Sequence, residues 1–169
     1  MKRLLACCAL VLVGCGSDSL KWCDSTTFSG CNLRGTDFSG ERLDGQSFSG
    51  SNLLDANFAG ASLVGADFSN ADASAANFDG ADLRGAKFSY SRLHRASFRG
   101  ANLQTATFDY AKMWYVDFRD ANLTDVNFLA AQMHYSQLEG ANVDGAYFRE
   151  TNLTGTVLEN SDVDPDKGK

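Results

Sequence analysis

"GADFSNADASAANFDGADLRGAKF", residues 65–88, sets Phe68, Ala73, Phe78, Leu83 and Phe88 five residues apart. A step of five turns about 140° around an α-helix and lands on the opposite face of a flat strand each time, so neither element gathers these side chains. The period belongs to a larger unit. Carried outward in the same frame, every fifth residue from Phe28 to Leu158 is apolar, twenty-seven centres without an insertion or deletion. Two residues before each centre sits a small side chain, Ala in most cases, as at every repeat from Ala56 to Ala86, and Thr, Ser, Val, Cys or Gln in others, with Glu41 the charged exception. The residue before the centre is usually Asn, Asp or another polar group, and Gly often lies two after it, as at Gly30, Gly35, Gly40, Gly45 and Gly50. The centres also alternate Phe with Leu-like residues at a period of ten. Like stacks on like only if one coil holds a multiple of ten residues. Ten is too few to enclose side chains, whereas twenty make a square.

The unit A-(N/D)-(L/F)-x-G, repeated over residues 26–160, resembles the pentapeptide-repeat family. The resemblance implies an all-β fold, a right-handed quadrilateral parallel β-helix in which each repeat forms one side. Some six to seven coils at strand spacing of about 4.8 Å make a rod roughly 30 Å long. Phe28, Phe48, Phe68, Phe88, Phe108, Phe128 and Phe148 then form one internal ladder. Phe38, Phe58, Phe78, Phe98 and Phe118 form a second on the opposite side, ending in Leu138 and Leu158. Glycine at the corners fits turns of positive φ; Tyr90, Thr105, Tyr110, Tyr115 and Tyr135 occupy the same repeat position and tolerate that poorly, so another turn type is expected there. Open solenoid ends call for caps, expected in the segment before Phe28, with Trp22 as its plug, and in the polar tail 161–169.

Ahead of the repeats, Lys2 and Arg3 precede an apolar run, Leu4 to Val13, that is too short to span a bilayer. Residues 1–14 therefore read as a secretory signal peptide. Its end, Leu12-Val13-Gly14-Cys15, resembles the bacterial lipobox, which implies cleavage before Cys15 and acylation of that cysteine. Two or three acyl chains give stable anchoring where one is marginal. The alternative is an ordinary cleaved signal with Cys15 incidental. Residues 15–25 would be lipidated N-terminus, linker and cap. Gly16, where inner-membrane lipoproteins often carry Asp, favours outer-membrane sorting by the same resemblance, with the rod facing the periplasm or the cell surface. Once the leader and Cys15 are accounted for, Cys23 and Cys31 remain, and in an oxidising compartment they pair with each other or stay as small buried thiols.

No catalytic constellation stands out. The chain has no phosphate-binding glycine loop, Cys-x-x-Cys, His-Glu-x-x-His or nucleophile elbow, and the family has no common catalytic residues to transfer. Neither enzyme chemistry, a cofactor nor a metal is expected. His94 and His134 lie two coils apart with Trp114 between them, about 10 Å, too far to share an ion. The charge pattern says more. Removing Lys2 and Arg3 with the leader takes the formal net charge from −6 to −8, yet residues 84–119 carry seven basic and two acidic groups. Folding onto four sides stacks Arg92, His94 and Arg95 beneath Lys112, Trp114 and Tyr115, and these beneath His134 and Tyr135, with Tyr90 and Tyr110 at the adjacent corner. Exposed Trp, Tyr and Arg have the composition of a binding hot spot, while aromatic stacks across coils also simply support a β-surface. The expected function is a lipid-anchored, non-enzymatic binding or scaffolding module of the bacterial envelope, attached to the membrane by its N-terminal lipid. A protein or an anionic envelope component is the expected partner. The rival is a gyrase protector that mimics DNA, the role of the family's best-known members. Export, the basic belt and a tail too short and polar to form a dimerising helix count against it, and no nucleic-acid partner is expected.

Overall fold

The computed structural model describes residues 27–157, and within them the repeat winds without interruption. Parallel bridges join residues twenty apart at every repeat, from Asn32 with Asn52 to Gln137 with Val157. Four repeats therefore close each coil. We number the sides by their centres: side 1 carries Phe28 to Phe148, side 2 Leu33 to Leu153, side 3 Phe38 to Leu138 and side 4 Leu43 to Val143. Coils are counted from Phe28, so coil four begins at Phe88, coil five at Phe108 and coil six at Phe128. The architecture is the right-handed quadrilateral β-helix. Among the described residues, no helix is long and apolar enough to cross a membrane.

The consensus follows from satisfying every backbone amide of the five-residue unit. In the repeat around Phe68, the centre's N–H donates to the Lys87 carbonyl at 2.7 Å on the next coil, and Lys87 N–H donates back to Ala66 at 2.9 Å. Asn70 N–H reaches the Ser89 carbonyl at 3.0 Å, and Ala71 N–H closes the turn on the Phe68 carbonyl at 3.1 Å. One amide is left, that of Ser69, and Asp67 Oδ1 accepts from it at 2.9 Å. Asn77 does the same for Asp79, Asn127 for Leu129 and Asn152 for Thr154. This Asx cap explains why Asn or Asp precedes so many centres.

The core is a shaft of packed centres. Phe38 through Phe128 on sides 1 and 3 are essentially solvent-free, as are the intervening Leu, Met and Ala centres and the small Ala two residues before them. Along each ladder the rings stack with centroids 4.7 to 5.3 Å apart, shown by Phe88 with Phe108 and Phe108 with Phe128. The two ladders also meet across the axis, edge to face, as in Phe78 with Phe88 at 5.7 Å and 88°. Each ring from Phe48 to Phe108 thus has stacked neighbours above and below and perpendicular ones across the shaft. Each contributes on the order of 1.5 to 3 kcal/mol from burial alone, and edge-to-face pairs add to that.

Two sequence expectations change or fall out of view here. The corners at Tyr90, Thr105, Tyr110, Tyr115 and Tyr135 do not use another turn type: their φ values are 57 to 60°, in the same left-handed region as the glycine corners. The hydrogen bonds on either side impose this. Tyr110 N–H donates to the Leu129 carbonyl at 2.9 Å and Ala111 N–H to that of Phe108 at 3.0 Å, fixing the peptides that flank the corner whatever side chain it bears. Leader, Cys15, Cys23, Trp22, Leu158 and the tail lie outside the described residues. Cys31 is buried and disulfide-bonded; its expected pairing with Cys23 likewise lies outside them.

Candidate functional site

Side 2 departs from the repeat consensus over coils four to six, at two positions at once. Before the centres stand Arg92, Lys112 and Gln132, where coils two, three and seven have the Asx caps Asn52, Asp72 and Asn152. The amides of His94, Trp114 and His134 consequently make no hydrogen bond within the described residues. At the flanking corners glycine is absent as well. Tyr90, Tyr110 and Ala130 line one edge of the side, Arg95, Tyr115 and Tyr135 the other, all with positive φ. A left-handed L-residue costs on the order of 1 to 2 kcal/mol, and such strain clusters where a side chain is needed for a task other than folding.

The stride of twenty turns these residues into three columns. Tyr90 stacks on Tyr110 at 5.1 Å, Tyr115 on Tyr135 at 5.1 Å, and between them Trp114 is sandwiched by His94 at 4.9 Å and His134 at 5.7 Å. Tyr135 in turn lies over Gly155, where a β-carbon would collide with its ring. All eight residues of the sequence-derived patch, Arg92, His94, Arg95, Lys112, Trp114, Tyr115, His134 and Tyr135, are on this one side. Tyr90 and Tyr110 join them as its second aromatic edge. Their signal in the sequence was the same spacing of twenty at a corner position. Four Tyr and Trp114 are 44 to 60% exposed, and besides Val157 they are the only large apolar side chains among the described residues that are.

Electrostatically the face is one-sided. None of its positions in coils four to six is acidic. Arg92 lies 3.7 Å from Asp72 one coil below, an exposed pair of little energetic weight. Arg95 and Lys112 form no ion pair among the described residues. His94 is held below the ordinary histidine range by partial burial and then by the charge of Arg92 and Lys112, with Asp72 opposing. No group of three metal-ligating side chains occurs among the described residues. Arginine, lysine, indole, phenol and free amides are all donors, so the face is built to meet anionic or acceptor oxygens.

Two family models match the chain, "Pentapeptide repeats (8 copies)" over residues 26–65, 51–89 and 66–104, and "Pentapeptide repeat region" over 86–158. The chain belongs to the pentapeptide-repeat family. Among solved structures, a pentapeptide-repeat protein of the Arabidopsis thaliana thylakoid lumen is 31% identical, with 88% of this chain and 79% of that one covered and a TM-score of 0.49. Rfr23 from the cyanobacterium Cyanothece 51142 is 24% identical over 77% of this chain and 89% of its own, with a TM-score of 0.52. QnrB1, a plasmid-mediated fluoroquinolone resistance protein, is 19% identical over 73% of this chain and 90% of its own, with a TM-score of 0.45. No curated protein matches the chain.

Proposed function

We propose that this pentapeptide-repeat protein is a lipid-anchored, non-enzymatic binding or scaffolding module of the bacterial envelope, and that side 2 of coils four to six is its contact surface. The observation that carries the reading is the coincidence of departures. Over three consecutive coils the chain gives up the Asx cap and both corner glycines, and what replaces them is exposed Tyr, Trp, Arg and Lys. The cap is also lost at other repeats, such as those of Lys87, Thr107 and Gln137, but among the described residues only side 2 combines its loss over three consecutive coils with replacement of the glycine at both flanking corners. Anchoring is proposed at Cys15, from its lipobox-like setting, with Gly16 favouring the outer membrane. Pairing of Cys23 with the disulfide-bonded Cys31 would tie that linker to the first coil. The basic belt of residues 84–119 interrupts any continuous acidic stripe, which weighs against a DNA-mimicking role.

The experiment is a pull-down from detergent-solubilised envelope membranes with the wild-type protein and with Trp114→Ala. The variant should lose more than about 1 to 2 kcal/mol of partner affinity and melt like the wild type, because the ring points outward. Equal capture by the two proteins contradicts a protein partner at this face. For the anchor, Cys15→Ala should move the protein out of the membrane fraction; unchanged partitioning, with no acyl mass on the wild-type N-terminus, contradicts lipidation.

A further inference from the structure

The face is built on consecutive parallel bridges. Its bridges run straight through Asp72, Arg92, Lys112, Gln132 and Asn152, one residue per coil in a single register. A flat face needs a flat partner. The aromatic rings are partly engaged with one another: Tyr90 and Tyr110 turn one face on each other at 5° and Tyr115 and Tyr135 at 13°, while His94 tilts at 50° and His134 stands edge-on at 80° to Trp114. What the face offers is amphipathic Tyr and Trp, no exposed aliphatic residue, the cations Arg95 and Lys112 without an ion pair, Arg92, and unpaired amide donors, over three coils of side 2 that carry no carboxylate. Tyr and Trp of this kind settle at the headgroup level of a bilayer, and Lys and Arg near its surface are drawn to anionic lipid.

We propose that side 2 of coils four to six docks on an anionic phospholipid headgroup surface, so that the rod lies along the membrane with its acidic sides turned away. This rests on the reading of that side as a contact surface and names what it contacts. Charge complementarity selects the orientation: Asp67 and Asp109 lie on side 1, Asp79, Asp117 and Glu139 on side 3, where Arg99 and Arg119 are paired with Asp117, and Asp82, Asp125 and Asp144 on side 4 or its corner, whereas coils four to six of side 2 are basic without a carboxylate. The basic groups on this face are few, and the attachment is accordingly weak and salt-sensitive by itself. With an N-terminal lipid holding the chain at the surface, weak docking is enough to set orientation.

The test uses the full chain carrying Trp22→Phe, in which Trp114 is the sole indole. At low salt, vesicles of phosphatidylcholine with phosphatidylglycerol should shift Trp114 emission to the blue and shield it from an aqueous quencher. Phosphatidylcholine vesicles alone, or high salt, should do neither. Arg92→Gln with Arg95→Gln should weaken the response about 30-fold. Because the readout is Trp114 itself, membrane attachment through any other part of the chain leaves it unchanged. If Trp114 stays equally quenchable on the anionic vesicles, the membrane inference is overturned. Should Trp114→Ala then still abolish capture of an envelope protein, the face contacts protein rather than lipid; loss of neither activity overturns the contact-surface reading as well.

Discussion

At single positions the molecule trades local ease for presentation. Thr105 is β-branched, sits at φ 59° and takes no part in the aromatic columns. Thr105→Gly should therefore raise stability by about 0.5 to 1 kcal/mol, the relief of left-handed strain less the entropy glycine loses on folding, read as a higher Tm. Gly155 makes the opposite case. Gly155→Ala adds a β-carbon where the Tyr135 ring lies, and it should displace that ring and its partner Tyr115 while leaving coil six otherwise intact, measured by quencher access or NMR shifts of the two tyrosines. His94 sets a pH dependence. Its folded-state value lies below the ordinary one, first because of burial, so the unfolded chain takes up the proton first. Its share of stability is complete above the usual histidine range and is lost as pH falls through it. Asp37, lowered by the Ser39 amide, and Asp82, lowered by Arg84, act in a separate window: their contribution holds above the usual carboxylate range and disappears as pH falls through their depressed values. A His94→Gln variant should lose the upper step of a Tm-against-pH curve and keep the lower one.

Within one coil, stability depends on the centre and on the cap. Phe88 is fully buried, stacked on Phe68 and Phe108 and edge-on to Phe78 and Phe98. Phe88→Ala should cost about 3 to 5 kcal/mol, while Asn77→Ala, which frees only the Asp79 amide, should cost about 0.5 to 1.5 kcal/mol; denaturant unfolding would rank them. The uneven legibility of the sequence has the same origin. Centres, coil length and both phenylalanine ladders could be read from spacing, because an apolar side chain at every fifth position admits few enclosures. Spacing also stacked Arg92, Lys112, Trp114 and the histidines. The corners are not legible from the conformational preference of Tyr110 itself, because its flanking peptides are held by bonds to Leu129 and Phe108. The meaning of Asn and Asp before each centre was hidden too, since it depends on which backbone amide the turn leaves unpaired. Without that, nothing in the spacing marks Arg92, Lys112 and Gln132 as positions where a cap is lost.

For the whole rod, register is everything. A residue inserted between positions 60 and 100 moves every later centre off the core and every later bridge out of step, so it should destabilise far more than replacing an outward Ser or Asp, and chemical denaturation would show it. The same strict register places four tyrosines, a tryptophan and unpaired cations on one side of an otherwise acidic molecule. The central claim is that this side is covered in the cell envelope. Oxidative footprinting of the full-length protein, purified and in intact envelopes, tests it most directly. Tyr90, Tyr110, Trp114, Tyr115 and Tyr135 should label readily in the purified protein and be protected in envelopes; equal labelling in both would contradict the account.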